Sequence, residues 1–219
     1  MTEKKKINKL VYLGFIPFLG ILVLLNYDFV KKIITKKEIS TNVENYKGII
    51  KDSVYYNEYL DWTFTIPTGY NLIPENDLQK KQEKGSKYFD QSSNDKNSQI
   101  RLLNISNGLI DFTSNLNPKV YFPNITTEDK YIQLIEENYK NISVENLKLE
   151  KQNQGTIMID SIEFKYIEYF AIGPERKVGM MTMTKLNDDF ILDFNILYTD
   201  TQEAIDFINR LKSSEFNWK

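Results

Sequence analysis

The segment Phe190-Ile-Leu-Asp-Phe-Asn-Ile-Leu-Tyr198 decides the fold. Every second side chain from Phe190 to Tyr198 is large and apolar, whereas Asp193 and Asn195 fall on the opposite face. A period of two residues is typical of a β-strand with one buried face. The segment therefore predicts a sheet whose apolar side is covered by other elements.

The residues before this segment predict a series of strands that follow closely on one another. They occupy residues 144–151, 156–159, 162–171 and 178–185. Gly173-Pro174 and Asn187-Asp188-Asp189 are short links, and links of this length join antiparallel neighbours. We expect an antiparallel meander in the second half of the chain, and shorter strands at residues 53–56, 62–66 and 100–105 in the first half.

Three helices complete the predicted pattern. They are a polar surface helix at residues 74–84, a helix capped by Thr126, and a closing helix at residues 201–213. The apolar stripe of the second helix is Tyr131, Ile132, Ile135 and Tyr139, and that of the third is Ala204, Ile205, Ile208 and Leu211. The sequence thus predicts an α+β fold, in which one antiparallel β-sheet is packed with about three helices.

The segment that opens this domain resembles the start of PsbP-like domains. It reads Tyr-Tyr-Asn-Glu-Tyr-Leu-Asp-Trp-Thr-Phe-Thr-Ile-Pro-Thr-Gly-Tyr at residues 55–70, a Tyr/Asn hairpin and then an aromatic strand that ends in Ile-Pro-x-Gly-aromatic. The order of the later elements agrees, so the resemblance covers residues 53–218. It implies a PsbP-like fold and a non-enzymatic binding or accessory module, with no catalytic residue to carry over.

An apolar run from Leu10 to Leu25 precedes the domain. It contains no charged residue, and as a helix it would rise about 24 Å, close to the ~30 Å hydrocarbon core of a bilayer. Tyr12 and Tyr27 lie where interfacial aromatic residues belong, and membrane helices tolerate a kink at Pro17. We therefore predict an N-terminal transmembrane helix, with an anchor and basic juxtamembrane helix at residues 1–38, a linker at 39–52 and the domain at 53–219.

A cleavable signal peptide is the first alternative to this anchor. Signal cleavage requires small residues after the apolar run, and the sequence there is Leu-Leu-Asn-Tyr-Asp-Phe. Lysines flank the run on both sides, where lipid headgroups would lie: Lys4, Lys5, Lys6, Lys9, Lys31, Lys32, Lys36 and Lys37. Because the first cluster usually dominates, we predict a single-pass protein of the cell membrane with a cytoplasmic N-terminus and an extracytoplasmic domain.

Composition limits the chemistry of the domain. Residues 1–38 carry a net charge of +5, whereas the rest of the chain has 20 basic and 27 acidic residues and a net charge of −7. A domain of this charge is repelled by phosphate backbones, so we expect no nucleic-acid partner. The chain has no Cys and no His, which excludes thiol nucleophiles, imidazole-based triads and Cys/His zinc sites. No catalytic motif, metal site or cofactor site is predicted.

The candidate partner surface is an aromatic loop between residues 107 and 124. It consists of Leu109, Ile110, Phe112, Tyr121 and Phe122, which would offer apolar contact area in an acidic domain. The alternative is that these side chains pack on the sheet. The leading functional hypothesis is a membrane-anchored, non-enzymatic binding module of the cell envelope with a protein partner. The alternatives are an extracytoplasmic carboxylate- or metal-dependent hydrolase, and a cytoplasmic-face adaptor or immunity-type protein.

Overall fold

The computed structural model describes residues 43–86, 99–140, 142 and 147–218. The predicted membrane anchor and its flanking lysines lie outside these residues. Within the described ranges, no helix has the length and the apolar character that are needed to cross a bilayer.

Eleven strands form two antiparallel sheets in the described part of the chain. The small sheet has the order β1-β2-β3-β11, and the large sheet has the order β4-β5-β6-β10-β9-β8-β7. Their bounds are β1 Ile49–Lys51, β2 Val54–Asn57, β3 Trp62–Thr65, β4 Asn71–Leu72, β5 Ile100–Ser106, β6 Ile110–Pro118, β7 Lys148–Ile159, β8 Ile162–Ile172, β9 Lys177–Leu186, β10 Phe190–Tyr198 and β11 Glu215–Phe216.

Three α-helices accompany the sheets in the described ranges: α1 at Glu75–Ser86, α2 at Glu128–Lys140 and α3 at Thr201–Lys212. The side chain of Asp200 caps α3 by accepting from the Glu203 amide at 2.9 Å. Thr127, and not Thr126 as predicted, caps α2, because its hydroxyl accepts from the Lys130 amide at 3.3 Å. The predicted α+β fold is confirmed at the level of antiparallel sheets and a few helices.

The aromatic core lies between the small sheet, α3 and one face of the large sheet. Trp62 of β3 is fully buried at its centre, 4.9 Å from the Phe194 ring and 5.0 Å from the Tyr55 ring, measured between ring centroids. Phe207 of α3 adds its ring 5.1 Å from Phe112. Such aromatic contacts each contribute about 0.5–1.5 kcal/mol beyond the burial of their area.

Helix α2 covers the opposite face of the large sheet. Tyr131 and Ile132 of α2 are buried, and Ile132 packs with Ile167 and Tyr169 of β8. Ile135 and Tyr139 join this cluster, so the predicted stripe of α2 is confirmed. The prediction for α3 is partly wrong, because Phe207 is buried and Ile205 is 46% exposed.

Three predictions of the strand pattern are wrong. The strands form two sheets and not one, because β1, β2 and β3 pair with one another and with β11 but not with the strands of the large sheet. The predicted linker at 39–52 includes a 3₁₀ turn at Val43–Tyr46 and strand β1, which pairs with β2. The segment 107–124, predicted to be irregular apart from a short strand near residues 109–113, contains the nine-residue strand β6 in the middle of the large sheet.

A candidate polar cavity on the large sheet

A cavity of about 270 Å³ opens on the face of the large sheet that α2 leaves partly uncovered. Its floor comes from β5, β6 and β10, and Leu78 of α1 lies over it. The residues that line it are Ile73, Leu78, Gln99, Arg101, Asn104, Asp111, Thr113, Asn115, Asn195 and Leu197. Strand parity explains the polar floor, because the odd-numbered residues of β6 and β10 face away from the aromatic core.

A β-bulge brings Asn104 to this floor. The register between β5 and β6 shifts between Arg101, which pairs with Asn115, and Asn104, which pairs with Thr113. In a regular strand, residues 101 and 104 would point to opposite faces, and one inserted residue reverses that relation. Both side chains therefore line the same cavity.

Ser114 holds the bulge from the core side. Its hydroxyl accepts from the Leu103 amide at 2.8 Å and donates to the Leu103 carbonyl at 3.0 Å. Ser114 is fully buried, so these two bonds satisfy backbone groups that the disrupted ladder would otherwise leave without partners.

Asn104 carries a buried polar atom without a hydrogen-bond partner. The side chain is 9% exposed, and its Oδ1 atom has no donor within reach in the described part of the chain. A buried acceptor without a donor costs about 1–3 kcal/mol, and such atoms are few in native proteins. Oδ1 has less than 1 Å² of accessible surface, so the protein encloses this atom and does not open it to the cavity.

The charges of the lining are of both signs. The guanidinium of Arg101 forms an ion pair with the carboxylate of Glu75 in the first turn of α1. Asp111 is the one carboxylate among the described lining residues. Among the described residues, no group of three or more acidic side chains is arranged to hold a metal ion.

A hydrogen-bonded chain joins the cavity to α2. The Gln99 side-chain amide donates to Asn117 Oδ1 at 3.2 Å, and Asn117 Nδ2 donates to Asp193 Oδ2 at 2.7 Å. The Tyr131 hydroxyl of α2 donates to the same Asp193 oxygen at 2.7 Å. The cavity wall and the helix thus share one buried carboxylate.

Burial controls the ionisation of this carboxylate. Desolvation raises the pKa of Asp193 from 3.8 to about 7, and the hydrogen bonds from Tyr131 and Asn117 oppose the rise. Burial and the adjacent Asp193 also raise the pKa of Tyr131 well above its ordinary value, so the phenol remains a proton donor. A second hydrogen bond joins the cavity lining to β9, because Asn195 Oδ1 accepts from the Thr182 hydroxyl at 2.8 Å.

The predicted partner surface does not form one patch. Ile110 and Phe112 are fully buried in strand β6, and Phe112 belongs to the aromatic core, so their assignment to a surface is wrong. Leu109 is 45% exposed in the turn between β5 and β6. Tyr121 and Phe122 are half-buried, and the Phe122 ring lies edge-on to Tyr131 at 6.1 Å.

Sequence reasoning missed the cavity although its signal is present. Asp111, Thr113, Asn115 and Asn117 alternate with apolar residues and Ser114 along β6, and Asp193 and Asn195 continue the pattern on β10. Polar residues that alternate along a central strand indicate a polar surface inside the fold. The irregular appearance of β6, which contains two Asn and ends in Pro118, concealed this pattern.

Comparisons with known proteins give a structural similarity but no match in sequence. No protein-family model matches the sequence, and no curated protein matches it. The structure is similar to the solution structure of cyanobacterial PsbP (CyanoP) from Synechocystis sp. PCC 6803, with 7% sequence identity and a TM-score of 0.45. The match covers 77% of this chain and 95% of that one.

Proposed function

We propose that the chain is a membrane-anchored, non-enzymatic binding module whose recognition site is the cavity on the large sheet. The observation that carries the proposal is the cavity itself, which has a volume of about 270 Å³ and is lined by four carboxamide side chains together with Ile73, Leu78 and Leu197. Ligand sites are concave and mostly apolar, with a small number of polar groups that orient the ligand. The recognition site thus moves from the aromatic loop to the sheet face.

The composition of the lining favours binding over hydrolysis. Carboxylate-dependent hydrolysis of glycosides uses a pair of acids that flank the scissile bond. The described lining contains one carboxylate, Asp111, whereas four of its residues are carboxamides: Gln99, Asn104, Asn115 and Asn195. Carboxamides donate and accept hydrogen bonds but do not exchange protons near neutral pH, which suits recognition better than acid–base catalysis.

The membrane anchor is the second part of the proposal. The uncharged run at residues 10–25 and the lysine clusters around it support an uncleaved transmembrane helix that keeps the binding domain beside the bilayer. In this arrangement the anchor determines location and the cavity determines what is bound. We place the domain on the extracytoplasmic side.

Site-specific photo-crosslinking in the cells of origin tests the binding module. A photoreactive amino acid replaces Leu197, which is 42% exposed and lines the cavity, and in a matched control replaces Met158, which is 49% exposed on the edge strand β7. We expect a defined adduct at position 197 that mass spectrometry detects, and we expect the substitution Asn104→Leu to abolish it. Equal capture at both positions, or capture at 197 that Asn104→Leu leaves intact, would contradict the proposal.

A further inference from the structure

We propose that the outer face of the small sheet, formed by strands β1, β2 and β3, docks on the headgroup region of the lipid bilayer. This inference rests on the anchor of the proposed function, because the anchor is what keeps the domain beside the membrane. It follows from the register of the strands, the exposure and charge of their side chains, and the length of the connection to the anchor.

Strand register gives the small sheet a buried face and an outer face. Tyr55 and Trp62 are fully buried in the aromatic core, and the residues next to them on each strand point the other way. Ile49 lies opposite Tyr56, and Tyr56 lies opposite Thr63, so these three side chains form one row on the outer face. The next row of the same face is Lys51, Val54 and Thr65.

Two large apolar side chains are exposed next to each other on this outer face. Ile49 is 65% exposed and Tyr56 is 40% exposed. Single exposed apolar residues are normal on a protein surface, whereas contiguous ones mark a surface that contacts a partner or a membrane. Tyrosine is enriched where a bilayer meets water, because its ring is apolar and its hydroxyl is polar. The pair therefore suits the membrane interface.

The charge of the outer face differs from that of the domain. From residue 39 onward the chain has 20 basic and 27 acidic residues, yet the outer face has no carboxylate on β1, β2 or β3, and its charged residue on these strands is Lys51. The nearby carboxylates Asp52 and Glu58 lie in the turns at the two ends of β2, and Glu215 lies on β11 at the far edge. An anionic membrane surface that repels the rest of the domain can therefore approach this face.

The connection to the anchor keeps this face within a short distance of the bilayer. Ile49 follows the predicted end of the juxtamembrane helix at residue 38 by eleven residues. Eleven residues span at most about 40 Å when the chain is fully extended. Strand β1 is also the first strand of the domain after the anchor. The strand that is nearest to the membrane along the chain thus carries half of the exposed apolar pair.

The open edge of β1 limits the depth of docking. In the described part of the chain, β1 has β2 on one side and no strand on the other. Its outward N–H and C=O groups need water or headgroups as partners, because hydrocarbon offers no hydrogen bonds. We therefore expect the side chains of Ile49 and Tyr56 to enter the headgroup region while the backbone of β1 stays outside the hydrocarbon core.

Site-specific fluorescence of the full chain in vesicles tests this inference. The chain has no Cys, so one introduced Cys takes the polarity-sensitive dye NBD at a single position. The positions are Ile49→Cys, Met158→Cys on β7 as a control with an exposed side chain, and Gly20→Cys in the predicted anchor. The vesicles contain phosphatidylcholine and phosphatidylglycerol, with a nitroxide quencher on the lipid headgroup, on the acyl chain or on neither.

The dye at position 49 should report a shallow membrane contact. We expect the headgroup nitroxide to remove about half of its intensity, and the acyl-chain nitroxide to remove less, because the contact lies at the headgroup level. The dye at position 158 should keep its intensity with both quenchers. The dye at position 20 should be quenched more strongly by the acyl-chain nitroxide than by the headgroup nitroxide.

Two substitutions of exposed residues separate docking from a general attraction to lipid. Tyr56→Asp places a carboxylate beside the dye at position 49, so quenching by the headgroup nitroxide should fall to the level seen at position 158. Leu72→Asp, at a 56% exposed position of β4 in the large sheet, is the matched control and should leave the quenching unchanged. Both variants should keep the Tm of the parent chain, because neither change is in the core.

The anchor and the docking surface fail in different ways. If the dye at position 20 is quenched but that at 49 behaves like that at 158, the anchor stands and the docking is overturned. If the dye at 49 is shifted to the blue but no lipid nitroxide quenches it, protein and not lipid covers the face, as in a second copy of the chain, and the docking is again overturned. If the dyes at 20 and 49 are both unquenched, the anchor and the docking are overturned together.

Discussion

At the scale of single residues, Asp193 links the buried polar network to solution pH. Its carboxylate lies beneath α2, accepts from Tyr131 and Asn117, and has a pKa of about 7 in the folded protein. A carboxyl group whose pKa is higher in the folded state than in the unfolded state stabilises the fold at low pH. That stabilisation is lost as the pH rises through the folded-state pKa.

The substitution Asp193→Asn tests this dependence. Between about pH 4 and pH 8, the free energy of unfolding of the wild type should fall relative to that of Asp193→Asn by roughly 2–4 kcal/mol, because only the wild type ionises a buried group. Urea unfolding of both proteins, followed by fluorescence at several pH values, measures the difference. Parallel curves over this range would show that the carboxylate is not desolvated as described.

Sequence reasoning assigned some residues correctly and others to the wrong environment. The stripe of α2 was predictable because four apolar side chains recur at helical spacing. Ile110 and Phe112 were assigned to a surface because the segment 107–124 has Asn, Pro and aromatic residues without a sustained periodicity, yet both are fully buried. The polar residues next to Ile110 and Phe112 in the sequence face either solvent or an internal cavity, and the sequence does not distinguish the two. The burial of Ile110 and Phe112 on the other face of the strand could therefore not be predicted.

At the scale of elements, the bulge in β5 shapes the cavity. One additional residue between Arg101 and Asn104 brings both side chains to the same face, and the hydroxyl of Ser114 satisfies the backbone of Leu103. Sequence alone does not reveal the bulge, because it depends on the pairing between two strands. For the same reason β7 was predicted as two strands, at 144–151 and 156–159, whereas Lys148–Ile159 is one strand with a register shift between Lys151 and Asn153.

The substitution Ser114→Ala tests the contribution of the bulge. It leaves the Leu103 amide and carbonyl without their side-chain partner in the core, which should lower the free energy of unfolding by roughly 1–3 kcal/mol. The matched control is Ser106→Ala, whose hydroxyl accepts from Gly108 in an exposed turn and should cost less than ~0.5 kcal/mol. Equal losses in the two variants, measured by urea unfolding, would contradict this role of Ser114.

At the scale of the whole molecule, the chain divides into a basic, apolar segment and an acidic domain. The charge of +5 over residues 1–38 and of −7 over the remainder was readable from the sequence. The described domain begins at Val43, ten residues before the predicted boundary at 53, because Val43–Tyr46 and β1 pack with the first hairpin. Short edge elements of this kind lack the periodicity that identifies longer strands.

Membrane extraction tests the proposed anchor. We expect the full chain to remain in the membrane fraction after an alkaline carbonate wash, because an apolar helix is held by hydrophobic burial and not by charge. Replacing both Leu22 and Val23 with Arg adds about 2.5–3.5 kcal/mol per residue to the cost of insertion and should move the chain to the soluble fraction. Release of the wild-type chain by carbonate, or its detection with an N-terminus beyond Tyr27, would contradict the anchor.

A reporter fused to the C-terminus tests the orientation. Activity of a reporter that works only in the cytoplasm would show that the domain lies on the cytoplasmic side and would contradict the proposed orientation.

The pairing of β11 with β3 governs the order in which the protein becomes folded during synthesis. The indole nitrogen of Trp62 donates to the hydroxyl of Ser214 at 3.2 Å across a sequence separation of 152 residues, and Phe216 lies opposite Trp62 in the small sheet. Contacts this distant in sequence form late and slow the folding reaction. Trp62 therefore lacks its partners Ser214 and Phe216 until β11 has emerged from the ribosome, and until then the part of its apolar surface that they cover is available to chaperones.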